Sequence, residues 1–310
     1  MKKMLALVLL PFCAQAQVKW KNVDAQFAPL PQGVHVYYTN DSLDGKPNIA
    51  YYLEADLKNK ALTFTADTTY QRRLTPTQYY EKNSKPLVVV NTSFFEYKNN
   101  SNLNIIMHDG KMVSYNLHTI AGKGKDTFTY YHPFYGALGI SKKRNADIAW
   151  IYTDSSGKYP YAVQTAKDAI HDSISYLAKK NIPFAVKKWK MQTAVGGGPV
   201  LVQNGQVQVS NDAEMKFSGK AINDKHPRTC IGYTSDHKLI ILAIEGRHAG
   251  KAEGATLTQQ ARLLKEIGCV EGLNLDGGGS SCLLVNGKET ITPSEKGEQR
   301  PVPSVLIIKN

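Results

Sequence analysis

The sequence predicts an α+β fold with a largely antiparallel or mixed β-sheet core and about three helices. Patterns typical of strands dominate the chain, and only three segments show the apolar spacing or capping residues of helices. Strand and helix patterns do not alternate regularly, which argues against a parallel sheet built from βαβ units.

Alternating apolar residues predict early strands around residues 34–38, 51–53 and 62–64. Thr75-Pro76 then begins the first helix, because threonine is a good N-cap and proline is tolerated in the first turn. Residues 87–90 form a short apolar run that predicts one buried strand.

Further elements follow along the chain. Residues 105–107 and the Asp109-Gly110 turn predict a hairpin. Apolar residues at helical spacing predict a second helix over residues 162–181 and a third over 256–267, the latter ended by Gly268. Residues 306–308 predict a final edge or closing strand.

Residues 274–287 form the most informative segment. Asp276 is followed by Gly277, Gly278 and Gly279 and then by Ser280 and Ser281. Glycines leave backbone N–H groups unshielded, so this loop beside a carboxylate is suited to holding an anion and to chemistry next to it. The structural alternative is a glycine bulge before a hairpin, with Asp276 capping the turn. A similar triple glycine, centred on Gly197, precedes a second apolar run.

Polar residues stand abruptly at the ends of several predicted strands. Because strand ends converge on one rim of a sheet, these side chains can form a single pocket. Arginine forks bind phosphate oxygens in pairs, which favours a phosphate-and-sugar site. The alternatives are surface ion pairs for the arginines and turn formation for the asparagines. The residues concerned are Asn91, Arg228, Glu245, Arg247 and Asn274.

Charge and composition limit the classes of ligand that the protein is expected to bind. The formal net charge is +12, but the basic residues form no long run and no nucleic-acid-binding module. We expect an anionic substrate and no nucleic acid, with a merely basic exterior as the alternative. No nucleotide-binding fingerprint is present.

The first residues are typical of an exported protein. Lys2 and Lys3 precede an apolar run over residues 4–12 and the Ala14-Gln15-Ala16 site, which predicts a signal peptide over residues 1–16. The run is too short to span a bilayer, and no later segment predicts a membrane span. We therefore expect a secreted or periplasmic protein.

Cysteines and histidines suggest no metal centre. Cys230, Cys269 and Cys282 remain after cleavage, which permits one disulfide but no disulfide framework. The eight histidines lack metal-ligand spacing. No metal site and no cofactor are predicted, although the aspartate and asparagine oxygens are compatible with a calcium ion.

Several motifs together resemble the phosphodiester glycosidase family. They are the segment 274–281, Pro-Arg-Thr at 227–229 with Gly232, Glu-Gly-Arg at 245–247, the helix start at 256–258, residues 195–199 and Arg-Pro-Val at 300–302. The chain departs from the family pattern where Glu245 replaces an aspartate and where Asn91-Thr92-Ser93-Phe94 lacks a glycine. The resemblance implies a phosphodiester glycosidase-like domain over residues 87–310, with residues 17–86 as an N-terminal accessory β element.

The resemblance also implies an activity. It is hydrolysis of a sugar-1-phosphodiester, such as one of N-acetylglucosamine, at the anomeric C–O bond. Asp276, with Glu245 as a second carboxylate, would stabilise the sugar cation, activate water or attack. Arg228 and Arg247 would hold the departing phosphate. The substrate-binding residues would be Asn91, Asn274, Gly277, Gly278, Gly279, Ser280, Ser281 and Gly197.

Two other functions fit the same residues. A cell-envelope protein would bind phosphorylated glycans without cleaving them, with tyrosines stacking on sugars. A phosphodiesterase would attack at phosphorus rather than at the sugar carbon.

Overall fold

β-Strands build most of the molecule, as the sequence predicts. The computed structural model describes residues 17–123, 126 and 128–310, so the predicted signal peptide lies outside the described residues. In chain order the strands are β1 (Lys21–Asn22), β2 (Val34–Thr39), β3 (Ala50–Asp56), β4 (Thr63–Thr68), β5 (Val88–Asn91), β6 (Ile106–His108), β7 (Lys111–Ser114), β8 (Ile120–Ala121), β9 (Tyr130–His132), β10 (Tyr135–Ile140), β11 (Ala146–Tyr152), β12 (Tyr161–Val163), β13 (Ile170–Asp172), β14 (Lys187–Lys188), β15 (Thr193–Gly196), β16 (Val200–Gln203), β17 (Gln206–Val207), β18 (Arg228–Thr234), β19 (Lys238–Ile244), β20 (Cys269–Asn274), β21 (Leu283–Val285), β22 (Lys288–Glu289) and β23 (Ser304–Lys309).

Helices are few and mostly short. The described part of the chain holds four: α1 (Asp24–Phe27), α2 (Pro76–Lys82), α3 (Asn211–Glu214) and α4 (Leu257–Ile267). Because α1 and α3 have only four residues each, the two substantial helices are α2 and α4, both predicted from the sequence. No helix within the described ranges is long and apolar enough to cross a membrane.

The strands form four sheets. Every pairing between described strands is antiparallel. The largest sheet has eight strands in the order β1-β2-β3-β19-β18-β20-β16-β17. A seven-stranded sheet (β14-β12-β11-β10-β15-β6-β7), a five-stranded sheet (β22-β21-β5-β23-β4) and a three-stranded sheet (β13-β9-β8) accompany it.

The main core lies where the three larger sheets face one another. Apolar residues of the eight-stranded sheet, such as Ile231 and Leu273, share one buried cluster with Trp150 of β11 and Leu306 of β23. The other face of the eight-stranded sheet is covered by α4, whose Leu264 packs in a second cluster. Burial on both faces keeps the ends of these strands rigid, and those ends carry the candidate site.

Local sequence explains both longer helices. In α4, the Thr256 side chain accepts a hydrogen bond from the Gln259 backbone amide, and the Thr256 backbone amide donates to Oε1 of Gln259. Thr75 and Gln78 form the same reciprocal capping box at α2. Gly268 ends α4 at φ 103°, a conformation that glycine adopts without steric cost.

The predicted helix over residues 162–181 is wrong. The segment instead holds β12, β13 and a short 3-10 turn at Lys179–Asn181. β12 pairs with the buried strand β11, and β13 pairs with β9. Ile174, on the proposed buried face, is 50% exposed, so no continuous apolar face existed to bury. Sheet pairing therefore outweighs a helical spacing that depends on four residues.

The first strands belong to the eight-stranded and the five-stranded sheets. β3 pairs with β19 along seven residues, and β4 pairs with β23 along six. Residues 17–86 are thus continuous with the later strands, while the boundary at residue 86 stays a prediction. The last strand was expected to be an edge strand or a closing strand. β23 lies between β5 and β4, so it is an interior strand and not an edge strand.

The three cysteines in the described chain are free thiols. Cys230, Cys269 and Cys282 are all buried. Burial raises the pKa of each thiol, which keeps it protonated. Cys282 packs with Val89 and Leu284 as a small core residue, as its apolar surroundings in the sequence predict.

Candidate active site

Three neighbouring strands end at one rim of the eight-stranded sheet. Arg228, the first residue of β18, is paired with Ile244, the last residue of β19. Cys230 of β18 is paired with Asn274, the last residue of β20. Because these strands are antiparallel, the start of β18 lies beside the ends of β19 and β20, as predicted for the polar strand ends.

The glycine loop after β20 is anchored to two sheets. The Asp276 amide donates to the Thr92 carbonyl at 2.8 Å, and the Gly278 amide donates to the Pro227 carbonyl at 2.8 Å. The Asn91 Nδ2 donates to the Asp276 carbonyl at 2.6 Å. These bonds fix Asp276 between the end of β5 and the start of β18.

Asn91 and Asn274 lie beneath the glycine loops. Asn91 is fully buried, and its Oδ1 accepts bonds from Thr229 Oγ1 at 2.9 Å and the Cys282 amide at 3.0 Å. Asn274 donates to the Gly198 carbonyl at 2.7 Å and accepts from Gln260 at 2.8 Å. Both amides hold backbone in place, so their direct contact with a sugar stays a prediction.

Two glycines permit close approach of neighbouring groups. Gly278 has φ 62°, and a Cβ built on it would stand 3.0 Å from Nη2 of Arg247. A Cβ on Gly197 would collide with the Asn274 carbonyl oxygen. The two triple-glycine segments are therefore adjacent through Asn274, and one of them contacts a predicted arginine.

Arg228 is a buried cation without an acidic partner. Its residue is only 3% exposed, and its Nε and Nη2 donate to the carbonyls of Ala255 and Asp224 at 2.9 and 3.1 Å. Within the described residues it forms no ion pair. Burial lowers the pKa of Arg228 to about 10, which leaves it charged at neutral pH. A buried unpaired guanidinium favours an anionic ligand.

Arg247 brings a second positive charge to the same place. It is exposed, adopts φ 64° and lies 3.4 Å from Nδ1 of His226 through its Nη2. The pKa of His226 is lowered by burial and then by the charges of Arg228 and Arg247. Both arginines therefore lie close to one histidine, while their sharing of a single pocket stays a prediction. No pattern in the sequence distinguishes His226 from the other histidines.

Asp276 has an unusual acidity. The residue is partly buried, and burial raises its pKa from 3.8 to about 6, although Ser280, Arg300 and Lys216 act to lower it. A carboxyl group with a pKa near neutrality can serve in acid–base chemistry and can act as a nucleophile when ionised.

Lys216 and Arg300 complete the surroundings of Asp276, and the candidate residues chosen from the sequence include neither. Lys216 Nζ lies 3.7 Å from the ring centroid of Phe94 and 4.7 Å from that of Tyr135. Burial lowers the pKa of Lys216 to about 8, against the opposing effects of Glu214 and Asp276.

Arg300 contacts the other side of the glycine loop. It pairs with Glu295, and a Cβ on Gly279 would collide with its guanidinium. Burial lowers the pKa of Arg300, but Glu295, Tyr97 and Asp276 outweigh that effect and raise it. Arg300 belongs to the Arg-Pro-Val motif, which was the one feature of the sequence that pointed towards it.

Glu245 is engaged within the protein. It is 3% exposed, and its Oε1 and Oε2 accept bonds from His248 Nδ1 at 2.9 Å and the Thr292 amide at 2.8 Å. Burial raises the pKa of Glu245, but these hydrogen bonds and the nearby Lys251 charge outweigh it and lower the pKa overall. Both carboxylate oxygens of Glu245 are thus engaged within the protein, and its role as a second catalytic carboxylate stays a prediction.

Two serines at the loop have unused hydroxyl groups. Ser280 and Ser281 are 1% and 2% exposed, and neither Oγ has a hydrogen-bond partner in the described structure. Ser280 lies close enough to Asp276 to lower the pKa of the carboxyl, yet it forms no well-aligned bond. Buried polar groups are normally satisfied, so these hydroxyls are suited to a ligand.

Metal-binding residues do not cluster here. Across the described ranges, no group of three or more histidine, cysteine, aspartate or glutamate side chains is arranged to hold a metal ion. The groups around Asp276 are instead cationic, hydroxyl and amide donors. Their shared chemistry is the recognition of negatively charged oxygen.

Comparison with known proteins identifies the family. The model of the phosphodiester glycosidase family matches residues 84–309. The chain belongs to the phosphodiester glycosidase family. The match includes both triple-glycine segments, Arg228, Arg247 and Arg300, and the resemblance of the sequence motifs is thereby confirmed.

Two curated relatives share shorter stretches with this family member. The uncharacterized SPbeta prophage-derived protein YomE of Bacillus subtilis is 39% identical over 87 residues, 28% of this chain and 13% of that protein. The N-acetylglucosamine-1-phosphodiester alpha-N-acetylglucosaminidase of Mus musculus is 26% identical over 103 residues, 31% of this chain. That match spans 20% of the mouse protein.

Solved structures share the fold. A hypothetical protein from Synechocystis matches with a TM-score of 0.65 at 14% identity, covering 94% of this chain and 68% of that one. The catalytic domain of zebrafish N-acetylglucosamine-1-phosphodiester alpha-N-acetylglucosaminidase, auto-inhibited by its pro-peptide, matches with a TM-score of 0.60 at 18% identity. The coverages there are 95% and 89%. A protein of Burkholderia pseudomallei thought to be exported gives 0.61 at 14% identity, with coverages of 88% and 76%.

Proposed function

We propose that this phosphodiester glycosidase family member hydrolyses a sugar-1-phosphodiester, of the N-acetylglucosamine-1-phosphodiester type, at the anomeric C–O bond. The observation that carries the proposal is the glycine loop that follows the ionisable carboxyl group of Asp276, because Arg228 and Arg247 both lie against it and neither forms an ion pair among the described residues. In a substrate of this class, the anomeric carbon becomes cationic and matches the carboxylate, while the departing phosphate is anionic and matches the arginines.

The arginines act on the leaving group. Arg228 and Arg247 lie against the glycine loop, as their closeness to Gly277 and Gly278 shows. When the C–O bond breaks, its electron pair stays on the phosphate oxygen, and the product is a phosphomonoester. Guanidinium groups and the amides of Gly277–Gly279 stabilise that charge without needing to donate a proton.

Asp276 acts on the sugar. As the C–O bond lengthens, the anomeric carbon gains positive character, and an ionised carboxylate close to it lowers the energy of that state. Asp276 either forms the new bond to carbon itself or removes a proton from the water molecule that does. In both routes the oxygen added to the sugar comes from water. Asn91 and Asn274 keep the loop in place while Ser280 and Ser281 supply hydroxyl donors.

Export belongs to the same proposal. The charged start, short apolar run and Ala14-Gln15-Ala16 site support a signal peptide, and residues 17–310 would then act in the periplasm or outside the cell. Such an enzyme would meet phosphorylated glycans of the cell envelope. Separation of a precursor from a form beginning at Gln17 by mass spectrometry of a secreted fraction tests this part.

Hydrolysis in water enriched in oxygen-18 tests the reaction. We expect a sugar-1-phosphodiester to yield free sugar that carries the label and an unlabelled phosphomonoester. Label in the phosphomonoester would show attack at phosphorus and would replace the proposal with a phosphodiesterase. Tight binding of the intact ester with no product would identify a glycan-binding protein instead. The Asp276→Asn variant serves as the control for contaminating hydrolases.

A further inference from the structure

An uncharged groove is lined in part by the loop between β5 and β6. It encloses about 550 Å³ and is lined on one side by Tyr70 and Gln71 and on the other by Val113 and Tyr115. None of the described residues that line it is charged, although 21% of the chain is. The polar groups there are hydroxyls and amides, which pair with neutral ligands.

The aromatic side chains of the groove are unusually open. Tyr70 is 85% exposed and Tyr115 is 40% exposed, and Val113 of β7 is 46% exposed. An exposed tyrosine presents an apolar ring face together with a hydroxyl group. Ligand sites commonly combine such faces with a few polar groups that fix orientation.

The groove and the active site share one loop. Residues 95–102 form a closed turn in which Phe95 is bridged to Asn102. Asn102 lines the groove, while Tyr97 on the same loop lies between the guanidinium groups of Arg73 and Arg300, at 5.1 and 5.7 Å from its ring centroid. Burial is the main cause of the raised pKa of Tyr97, and the negative charge of Asp276 raises it further.

A chain of hydrogen bonds connects the groove to the Asp276 loop. Asn102 Oδ1 accepts from Ser304 Oγ at 2.7 Å, and Ser304 Oγ lies 3.0 Å from Thr92 Oγ1. The Thr92 carbonyl in turn accepts from the Asp276 amide at 2.8 Å. Ser304 and Thr92, both buried, thus link Asn102 at the groove to the Asp276 loop.

We infer that this groove binds an uncharged saccharide segment of the substrate while the phosphodiester occupies the hollow at Asp276. The inference rests on the proposed function, since it assigns the groove to the same substrate. The flat, apolar faces of sugar rings suit Tyr70 and Tyr115, and sugar hydroxyls suit the amides of Gln71 and Asn102. The substrate class is then a glycan that bears a sugar-1-phosphodiester, rather than a small isolated ester.

Paired substrates test the inference. One is the methyl ester of N-acetylglucosamine-1-phosphate, and the other carries the same phosphodiester on an uncharged tetrasaccharide. In the Tyr70→Ala/Tyr115→Ala double variant we expect kcat/KM for the extended substrate to fall by about tenfold or more, with the methyl ester unaffected. Equal changes for both substrates would overturn the inference. The Tyr70→Phe/Tyr115→Phe double variant, which keeps both rings, is expected to retain most of the activity on the extended substrate.

A direct binding measurement separates this inference from the proposed function. Calorimetry with uncharged tetrasaccharides, beginning with that of N-acetylglucosamine, is expected to show binding that the double variant loses. Phe128→Ala is the matched control, because Phe128 is 83% exposed and does not line the groove. Saccharide binding without hydrolysis of either ester would support the groove as a binding site and refute the proposed hydrolase activity. Hydrolysis without saccharide binding would support the hydrolase activity and refute the role of the groove. Binding of a proline-rich peptide in place of the saccharides would also refute the inference.

Discussion

Arg247 lies directly over Gly278, with Nη2 3.0 Å from the position that a Cβ on that glycine would take. The two residues come from different parts of the chain, and each has a positive φ, 64° for Arg247 and 62° for Gly278. Such a conformation is costly for arginine, and strained residues concentrate at functional sites. The contact therefore links the guanidinium to the backbone amides that flank Asp276.

Gly278→Ala is expected to reduce activity by displacing Arg247. The added methyl group meets the guanidinium, and we expect kcat/KM to fall by about tenfold or more because a preorganised charge is moved. Gly297→Ala is the control, since Gly297 has φ 81° but no neighbouring atom within 4 Å. Both variants should lose about 1 to 2 kcal/mol of unfolding free energy from the left-handed backbone. Full activity in Gly278→Ala would contradict the role of Arg247.

Asp276→Asn is expected to remove nearly all turnover while the protein stays folded. Loss of a charge that acts in the transition state costs about 100- to 1000-fold in kcat. Steady-state rates on a sugar-1-phosphodiester and the circular dichroism spectrum provide the measurement. Glu81→Gln, on the exposed side of α2, controls for loss of one acidic group. Substantial residual turnover would remove Asp276 from the mechanism.

The same substitution should stabilise the protein at neutral pH. Because the pKa of Asp276 is raised from 3.8 to about 6, ionising it opposes folding, and the penalty grows as the pH rises from about 4 to about 6. Partial exposure reduces the effect, and we expect Asp276→Asn to gain about 1 to 3 kcal/mol of unfolding free energy above pH 6. Urea unfolding at pH 4 and pH 7.5 measures it. A variant that is less stable than the natural protein at pH 7.5 would contradict the burial argument.

The pH dependence of kcat/KM should be bell-shaped. Activity falls below about pH 6 as the Asp276 carboxylate is protonated, and it falls above about pH 8 as Lys216 loses its charge. In Lys216→Arg, whose charge persists to high pH, the alkaline limb should move upward while the acid limb stays. An acid limb that is absent, with activity lost above pH 6, would show that Asp276 acts in its protonated form.

Asn91→Ala is expected to damage the site through the fold. The change leaves the Thr229 hydroxyl, the Cys282 amide and the Asp276 carbonyl without their partner. Buried groups without partners cost about 1 to 3 kcal/mol each, and we expect a loss of about 3 kcal/mol in unfolding free energy. Asn223→Ala, at an exposed position, is the control. Unchanged stability would show that the loop is held in another way.

Part of the site could be predicted from the sequence because its signs are local. The triple glycine after Asp276 and the polar residues at strand ends are visible without a structure, and the observed rim brings Arg228, Arg247 and Asp276 into one region. The helix starts at Thr75 and Thr256 are equally local, since capping depends on residues three apart.

The rest depends on tertiary contacts. Lys216 follows a single-turn helix, and its ammonium group contacts the rings of Phe94, in the loop after β5, and Tyr135 of β10. His226 matters only through the two arginines beside it. Residues 162–181 have helical spacing, yet β11 and β9 offer them strand partners. Such partners cannot be read from the segment itself.

The placement of β23 between β4 and β5 has a consequence for how the chain acquires its structure. Thr68, at the end of β4, hydrogen-bonds Pro303 across 235 positions. Closing so long a loop costs chain entropy before any contact compensates, which makes folding slow. Refolding from denaturant should therefore lag well behind that of small helical proteins, and the Asp276 loop should become protected from hydrogen exchange only in the final phase.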